Sequence, residues 1–133
     1  MYCPAHFAET RPEVLHALMR ARPLATLVTA GDDGPAADHI PFVLDLPDDG
    51  PGVLRGHVAR ANPMWRRLAD GDVPALAVFH GPDAYVTPSW YPGKREHGRA
   101  VPTWNYAIVH ARGPLRAIDD PDWLRAHVEA LTR

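Results

Sequence analysis

Leu24-Ala25-Thr26-Leu27-Val28-Thr29 is apolar, β-branched at Thr26, Val28 and Thr29, and closed by Gly31-Asp32-Asp33-Gly34. Such a run ahead of a Gly/Asp turn reads as a strand entering a tight turn. Residues 37–45 read as the next strand, broken or bulged at Pro41, which has no N–H to give to a ladder. Pro47-Asp48-Asp49-Gly50-Pro51-Gly52 is the densest turn signal in the chain, and 53–58 follows as a third strand. Connections this short cannot hold a crossover helix, so an antiparallel sheet is favoured over βαβ units.

The remaining chain extends this pattern. Ala75-Leu76-Ala77-Val78-Phe79 reads as a buried strand, Gly81-Pro82-Asp83 as a turn and 84–87 as another strand. Residues 103–112 form a further strand, which 115–118 continues beyond Gly113-Pro114. Three helices flank the strands. Thr10-Arg11-Pro12-Glu13 has the spacing of a capping box, followed by Val14, Leu15, Leu18 and Met19 at helical spacing up to Arg22-Pro23. Asn62-Pro63 starts a short helix with Met64, Trp65 and Leu68 inward, ending near Asp70-Gly71. Asp120-Pro121 opens the last helix through Leu131, with Trp123, Leu124, His127, Val128 and Leu131 as its inner stripe. About six strands with peripheral helices point to a mainly β fold, a small barrel.

The chain has 133 residues, 46% of them hydrophobic, which suits one domain over 1–133 with its own core. No repeat or linker divides it. Fourteen Lys and Arg against sixteen Asp and Glu leave −2, which excludes a broadly basic nucleic-acid clamp but not a local basic patch. No apolar run reaches the ~20 residues of a membrane span, and Met1-Tyr2-Cys3-Pro4 opens no signal peptide. The single cysteine, Cys3, allows no intrachain disulfide and fits a reducing cytoplasm.

Most familiar chemistry is missing. The eight histidines form no H-x-H, H-E-x-x-H or Cys/His zinc spacing, so no metal site is expected. There is no G-x-S-x-G elbow, no P-loop and no G-x-G-x-x-G, and Cys3 lies at a terminus, so no catalytic residue is assigned. Two segments remain. In His57-Val58-Ala59-Arg60-Ala61-Asn62-Pro63, a strand delivers Arg60 and Asn62 to a helix start, a combination suited to phosphate. On spacing alone, the plainer reading of a cap and a solvated charge is the stronger one. Residues 88–102 read as a long irregular loop holding Trp90, Tyr91 and Lys94, flanked by Thr103-Trp104-Asn105-Tyr106. Aromatics beside cations stack on a planar ring or pack a core or interface, and the residues alone leave these readings even. A nucleotide-like ligand would satisfy both segments.

Taken in order, these pieces resemble one family. They are Met1-Tyr2 with His6-Phe7, Pro23-Leu24-Ala25-Thr26, His39-Ile40-Pro41-Phe42, Gly56-His57-Val58-Ala59-Arg60-Ala61-Asn62-Pro63 and Gly81-Pro82-Asp83-Ala84-Tyr85. Pro88-Ser89-Trp90-Tyr91, Glu96-His97-Gly98 and Val101-Pro102-Thr103-Trp104-Asn105-Tyr106 complete them. The chain resembles the PaiB-type, FMN-binding negative transcriptional regulators, and the pieces cover essentially its whole length. The resemblance implies a split β-barrel of the pyridoxamine-phosphate-oxidase-like type, a homodimer with FMN at the subunit interface. It implies Arg60 and Asn62 at the phosphate, and His39 and Ile40 along the isoalloxazine. Ser89, Trp90, Lys94, Thr103, Trp104 and Asn105 would close the site, partly from the other subunit. Family members usually continue with a C-terminal segment, whereas this sequence stops at Arg133. DNA is a partner by resemblance only, since no helix-turn-helix pattern is present. A small flavin-dependent oxidoreductase is the alternative, and a haem-handling split barrel a weaker one.

Overall fold

In the computed structural model, residues 1–31, 34–48, 52–68 and 71–133 are described, Arg95 by its backbone alone. Strands β1 (Leu24–Gly31), β2 (Gly34–Pro41), β5 (Val73–Val86) and β6 (Thr103–Leu115) form an antiparallel sheet in the order β2-β1-β5-β6, and β3 (Val43–Asp45) pairs with β4 (Val53–Arg55) in a separate hairpin. Parts of the expected turns and helix end, at Asp32, Asp33, Asp49, Gly50, Pro51 and Asp70, lie outside the described residues.

Burial alternates along β1. Ala25, Leu27 and Thr29 face inward, because successive side chains of a strand point to opposite faces. Register places Ala77 and Phe79 beside them, and Val109 beside Phe79. Ile40, Phe42, Met64 and Met19 complete this core. Phe79 is 1% exposed and its ring lies 6.1 Å from that of Phe42. Burying a side chain of that size stabilises by roughly 1.5–3 kcal/mol. Pro41 ends β2 as expected. The chain resumes at β3 after Phe42, whose N–H donates to Pro23 O at 2.9 Å. Among the described strands β4 pairs only with β3 and β6 only with β5, so the barrel is split.

Several local expectations are corrected. Gly81-Pro82-Asp83 is not a turn. β5 runs through it as one strand of 14 residues, with a register shift against β6 between His80 and Asp83. A Cβ on Gly81 would lie 2.9 Å from Ala107 O and from Leu18, so glycine lets α1 (Pro12–Ala21) and β6 close on the bulge. β6 likewise passes unbroken through Gly113-Pro114 and ends at Leu115, short of the expected 115–118 extension. The long segment 88–102 is not irregular throughout. It holds a 3₁₀ turn, Pro88–Trp90, and a short helix α2, Pro92–His97, closed by Gly98 in the left-handed conformation at φ 65°. The helix after Asn62 is 3₁₀, Pro63–Leu68.

The capping box at Thr10 does not form. α1 begins after Arg11 with no side-chain cap, and Glu9 instead accepts from the N–H groups of Thr10 and Arg11, each at 3.0 Å. Its carboxylate also grips the Arg11 guanidinium at 2.9 and 2.6 Å. Val14 is exposed rather than inward. On α3 (Pro121–Leu131), capped by Asp120, the inner stripe is narrower than expected. Trp123, His127 and Leu131 face inward, while Leu124 and Val128 are exposed. No described helix is long and apolar enough to cross a membrane.

Candidate functional site

A cleft of ≈ 640 Å³ opens between β4, the end of β6 and the start of α3. Its apolar lining includes Ile40, Phe42, Leu54 and Leu115, and its polar lining includes His57, Arg60 and Asp119. This volume and this mixture suit a small-molecule site.

Arg60 stands exposed at the cleft and donates both guanidinium arms to Asp119, at 2.9 and 2.7 Å. The pair holds Arg60 above its ordinary value and Asp119 below its own, by hydrogen bonding first and charge second. Trp65 braces the arginine from below. Its indole N–H donates to Arg60 O at 2.9 Å, and its ring lies 5.1 Å from the guanidinium carbon. Asn62 does cap the 3₁₀ turn, accepting from Met64 N–H at 2.8 Å, while its amide donates to Asp38 at 2.7 Å. Its amide is therefore engaged at both ends. Ile40 is buried and lines the cleft. His39, its neighbour on β2, points to the other face of the sheet and meets Thr26 at 3.2 Å.

The second group of expected site residues lies elsewhere. Ser89 hydrogen-bonds Thr87, Trp90 closes the 3₁₀ turn, Lys94 lies exposed on α2, and Thr103, Trp104 and Asn105 begin β6. Beyond the bulge, β5 and β6 continue as a ribbon on which Trp104 is 58% and Tyr106 55% exposed, and Trp90, in the 3₁₀ turn that follows β5, is 69% exposed. Tyr85 packs edge-on against Trp104 at 6.0 Å. Asp119 follows the far end of the 13-residue β6, roughly 40 Å of strand contour away at ~3.3 Å per residue. One chain thus sets Arg60 beyond one end of β6 and Ser89, Trp90, Lys94, Thr103, Trp104 and Asn105 at the other, while His39 and Ile40 lie level with His110 and Val109 in its middle and Asn62 is held to Asp38 close to them.

Four participants escaped sequence reasoning. Asp119 and Asp38 sit far along the chain from the residues they hold, so no local spacing points to them. His57 and His127 meet across the cleft wall at 3.1 Å, with His127 stacked on Trp123 at 5.4 Å. The i, i+4 spacing of Trp123 and His127 gave half of that signal. Among the described residues no cluster of three or more metal-ligating side chains forms.

The family described as "Putative FMN-binding domain" matches residues 1–133. An uncharacterized Saccharomyces cerevisiae protein is 35% identical over 151 residues, covering 99% of this chain and 88% of its own. The Bacillus subtilis protease synthase and sporulation protein PAI 2 is 40% identical over 120 residues, and an uncharacterized Aspergillus fumigatus protein 37% identical over 150. Each of these two alignments covers 90% of this chain, which spans only 54% of the Bacillus protein and 58% of the Aspergillus protein. The residues present suit FMN. Arg60 already grips a carboxylate with both arms, the geometry a phosphate monoester takes. Exposed Trp90, Trp104 and Tyr106 offer flat faces to a planar ring.

Proposed function

We propose, from the premise that this chain belongs to the FMN-binding domain family, that two copies of it together build the flavin site of a PaiB-type regulator. FMN is the cofactor. The observation that carries the reading is the separation of Arg60, held to Asp119 beyond one end of β6, from Trp90 and Trp104 at the other. A flavin is far shorter than that strand, so Arg60 and Asn62 of one copy would meet the Trp90–Trp104 region of the other. The aromatic ribbon supports the same arrangement, because exposed Trp and Tyr are enriched where subunits join.

Within that site each group has a separate task. Arg60 exchanges Asp119 for the phosphate, and Trp65 holds its backbone while it does so. Ile40 presents an apolar edge to the ring, and Trp90 and Trp104 exclude water from it. Lys94 adds a second cation. When bound, FMN supplies a ring that accepts or donates electrons. The regulatory role draws on the family resemblance and on the Bacillus relative, whose name links it to protease synthase and sporulation.

Light scattering with flavin titration tests the assembly. We expect a dimer that binds FMN, and a Trp104→Glu variant that loses dimer and flavin together. A monomer that binds FMN with full occupancy would overturn the reading. Salt-dependent DNA retention by the holoprotein supports the regulator, whereas sustained NAD(P)H oxidation without DNA binding would make the chain an oxidoreductase instead.

A further inference from the structure

His127 is fully buried in α3, and its Nδ1 has no hydrogen-bond partner among the described residues. Its Nε2 lies 3.1 Å from Nδ1 of His57, which is solvent-exposed and lines the cleft. Its ring is stacked on Trp123, with 17° between the planes. The charged groups facing it from the hairpin are Arg55 on β4 and Asp45 on β3, and these two are forked together. Asp45 is therefore committed before His127 can use it.

Only one protonation pattern suits this arrangement. A neutral His127 donates Nε2–H to His57 Nδ1 and leaves a bare lone pair at Nδ1. A second proton on His127 places an N–H at Nδ1, where no described residue offers an acceptor. A proton arriving at His57 Nδ1 has the same consequence. That nitrogen becomes a donor, His127 Nε2 must accept, and the His127 proton moves to Nδ1. Either route leaves an unpaired buried donor, and the first adds a buried charge. The Trp123 face attracts a cation, but it offers no hydrogen-bond acceptor at Nδ1.

We propose that the His57–His127 pair is a proton-operated latch, which docks α3 against the β3–β4 hairpin at neutral pH and releases it in acid. Burial first, then the charges of His57 and Arg55, push the His127 imidazole below its ordinary value near 6.5, with Asp45 opposing. The released helix binds more protons than the docked one. Docking is therefore complete above the ordinary histidine value and weakens as pH falls below it. Since Trp123 and Leu124 line the cleft, release removes one of its walls. This inference does not depend on where the flavin binds.

Hydrogen exchange of the flavin-free chain at about pH 7.5 and about pH 5, corrected for intrinsic rates, tests the latch. We expect α3 amides to exchange about ten- to thirtyfold faster in acid, while α1 amides change less than about twofold. His127→Phe keeps the stack without the proton, so its α3 should show no such difference. Equal change in α1 and α3, or an unaltered response in His127→Phe, would overturn the proposal. If that variant does not fold, the His127 ring signals in the wild-type NMR spectrum decide. A neutral ring wherever α3 is protected supports the latch, and a charged ring in protected α3 refutes it.

Discussion

Replacing Arg60 by alanine tests the phosphate assignment most directly, and Asp119 supplies the internal control. Both side chains are largely exposed, 69% and 64%, so solvent screens their attraction and surrendering Asp119 to a ligand costs little. The two arms that now hold Asp119 would hold two phosphate oxygens. In so exposed a position, we expect Arg60→Ala to weaken FMN roughly 10- to 100-fold, less than two fully desolvated charge-assisted bonds would supply. Riboflavin has no phosphate and should be nearly unaffected. Asp119→Asn removes the competing charge and should tighten FMN by roughly two- to fivefold. In an Arg60→Ala background the same change should do nothing, because the two residues act through one another. Flavin-fluorescence titrations of the four proteins with both ligands complete the cycle. Equal losses for FMN and riboflavin, or an Asp119→Asn effect that survives without Arg60, would refute the reasoning.

Other consequences are structural. Phe79→Ala empties a site that is 1% exposed and should cost about 3–5 kcal/mol in a denaturant titration; a loss below about 1 kcal/mol would mean the core collapses around it. Gly81→Val drives a branched side chain into Ala107 O and Leu18, and should destabilise by about 1–3 kcal/mol in a thermal melt, with a wild-type melt counting against the close bulge. Side-chain and backbone hydrogen bonds from Arg11 hold the Glu9 carboxyl down at about 2, from an ordinary 4.5. Its lowered value means that its contribution is present above 4.5 and is lost as pH falls through about 2. An NMR titration should place the midpoint there, and Arg11→Ala should return it towards 4.5; a wild-type midpoint near 4.5 would contradict the contact.

Strand content was legible wherever local composition and burial agreed. Leu24 to Gly31 alternates between core and surface, and its apolar, β-branched residues announce that. Pro41 broke its strand because a missing N–H acts locally. Errors arose where a residue with turn chemistry was overruled by its neighbours. Gly81-Pro82-Asp83 looks like a turn, yet β6 offers a continuous ladder and the bulge absorbs the misfit. Gly113-Pro114 fails to interrupt β6 for a similar reason, since Pro74 and Ala75 lie opposite. Thr10 lost its capping role to Glu9, which reaches two N–H groups and a guanidinium at once.

By itself the sequence determined the mainly β fold, the family and its cofactor, because ordered motifs such as His39-Ile40-Pro41-Phe42 and Thr103-Trp104-Asn105-Tyr106 survive without knowledge of contacts. Tertiary structure alone decided what those residues touch. Arg60 meets Asp119 and His57 meets His127 across separations of 59 and 70 residues, and no periodicity encodes pairings that only chain closure creates. It also decided where along β6 the expected site residues fall, with Arg60 beyond one end and Trp104 at the other. The length of β6 is a local property, but which groups end up at its two ends is set by how the whole sheet pairs.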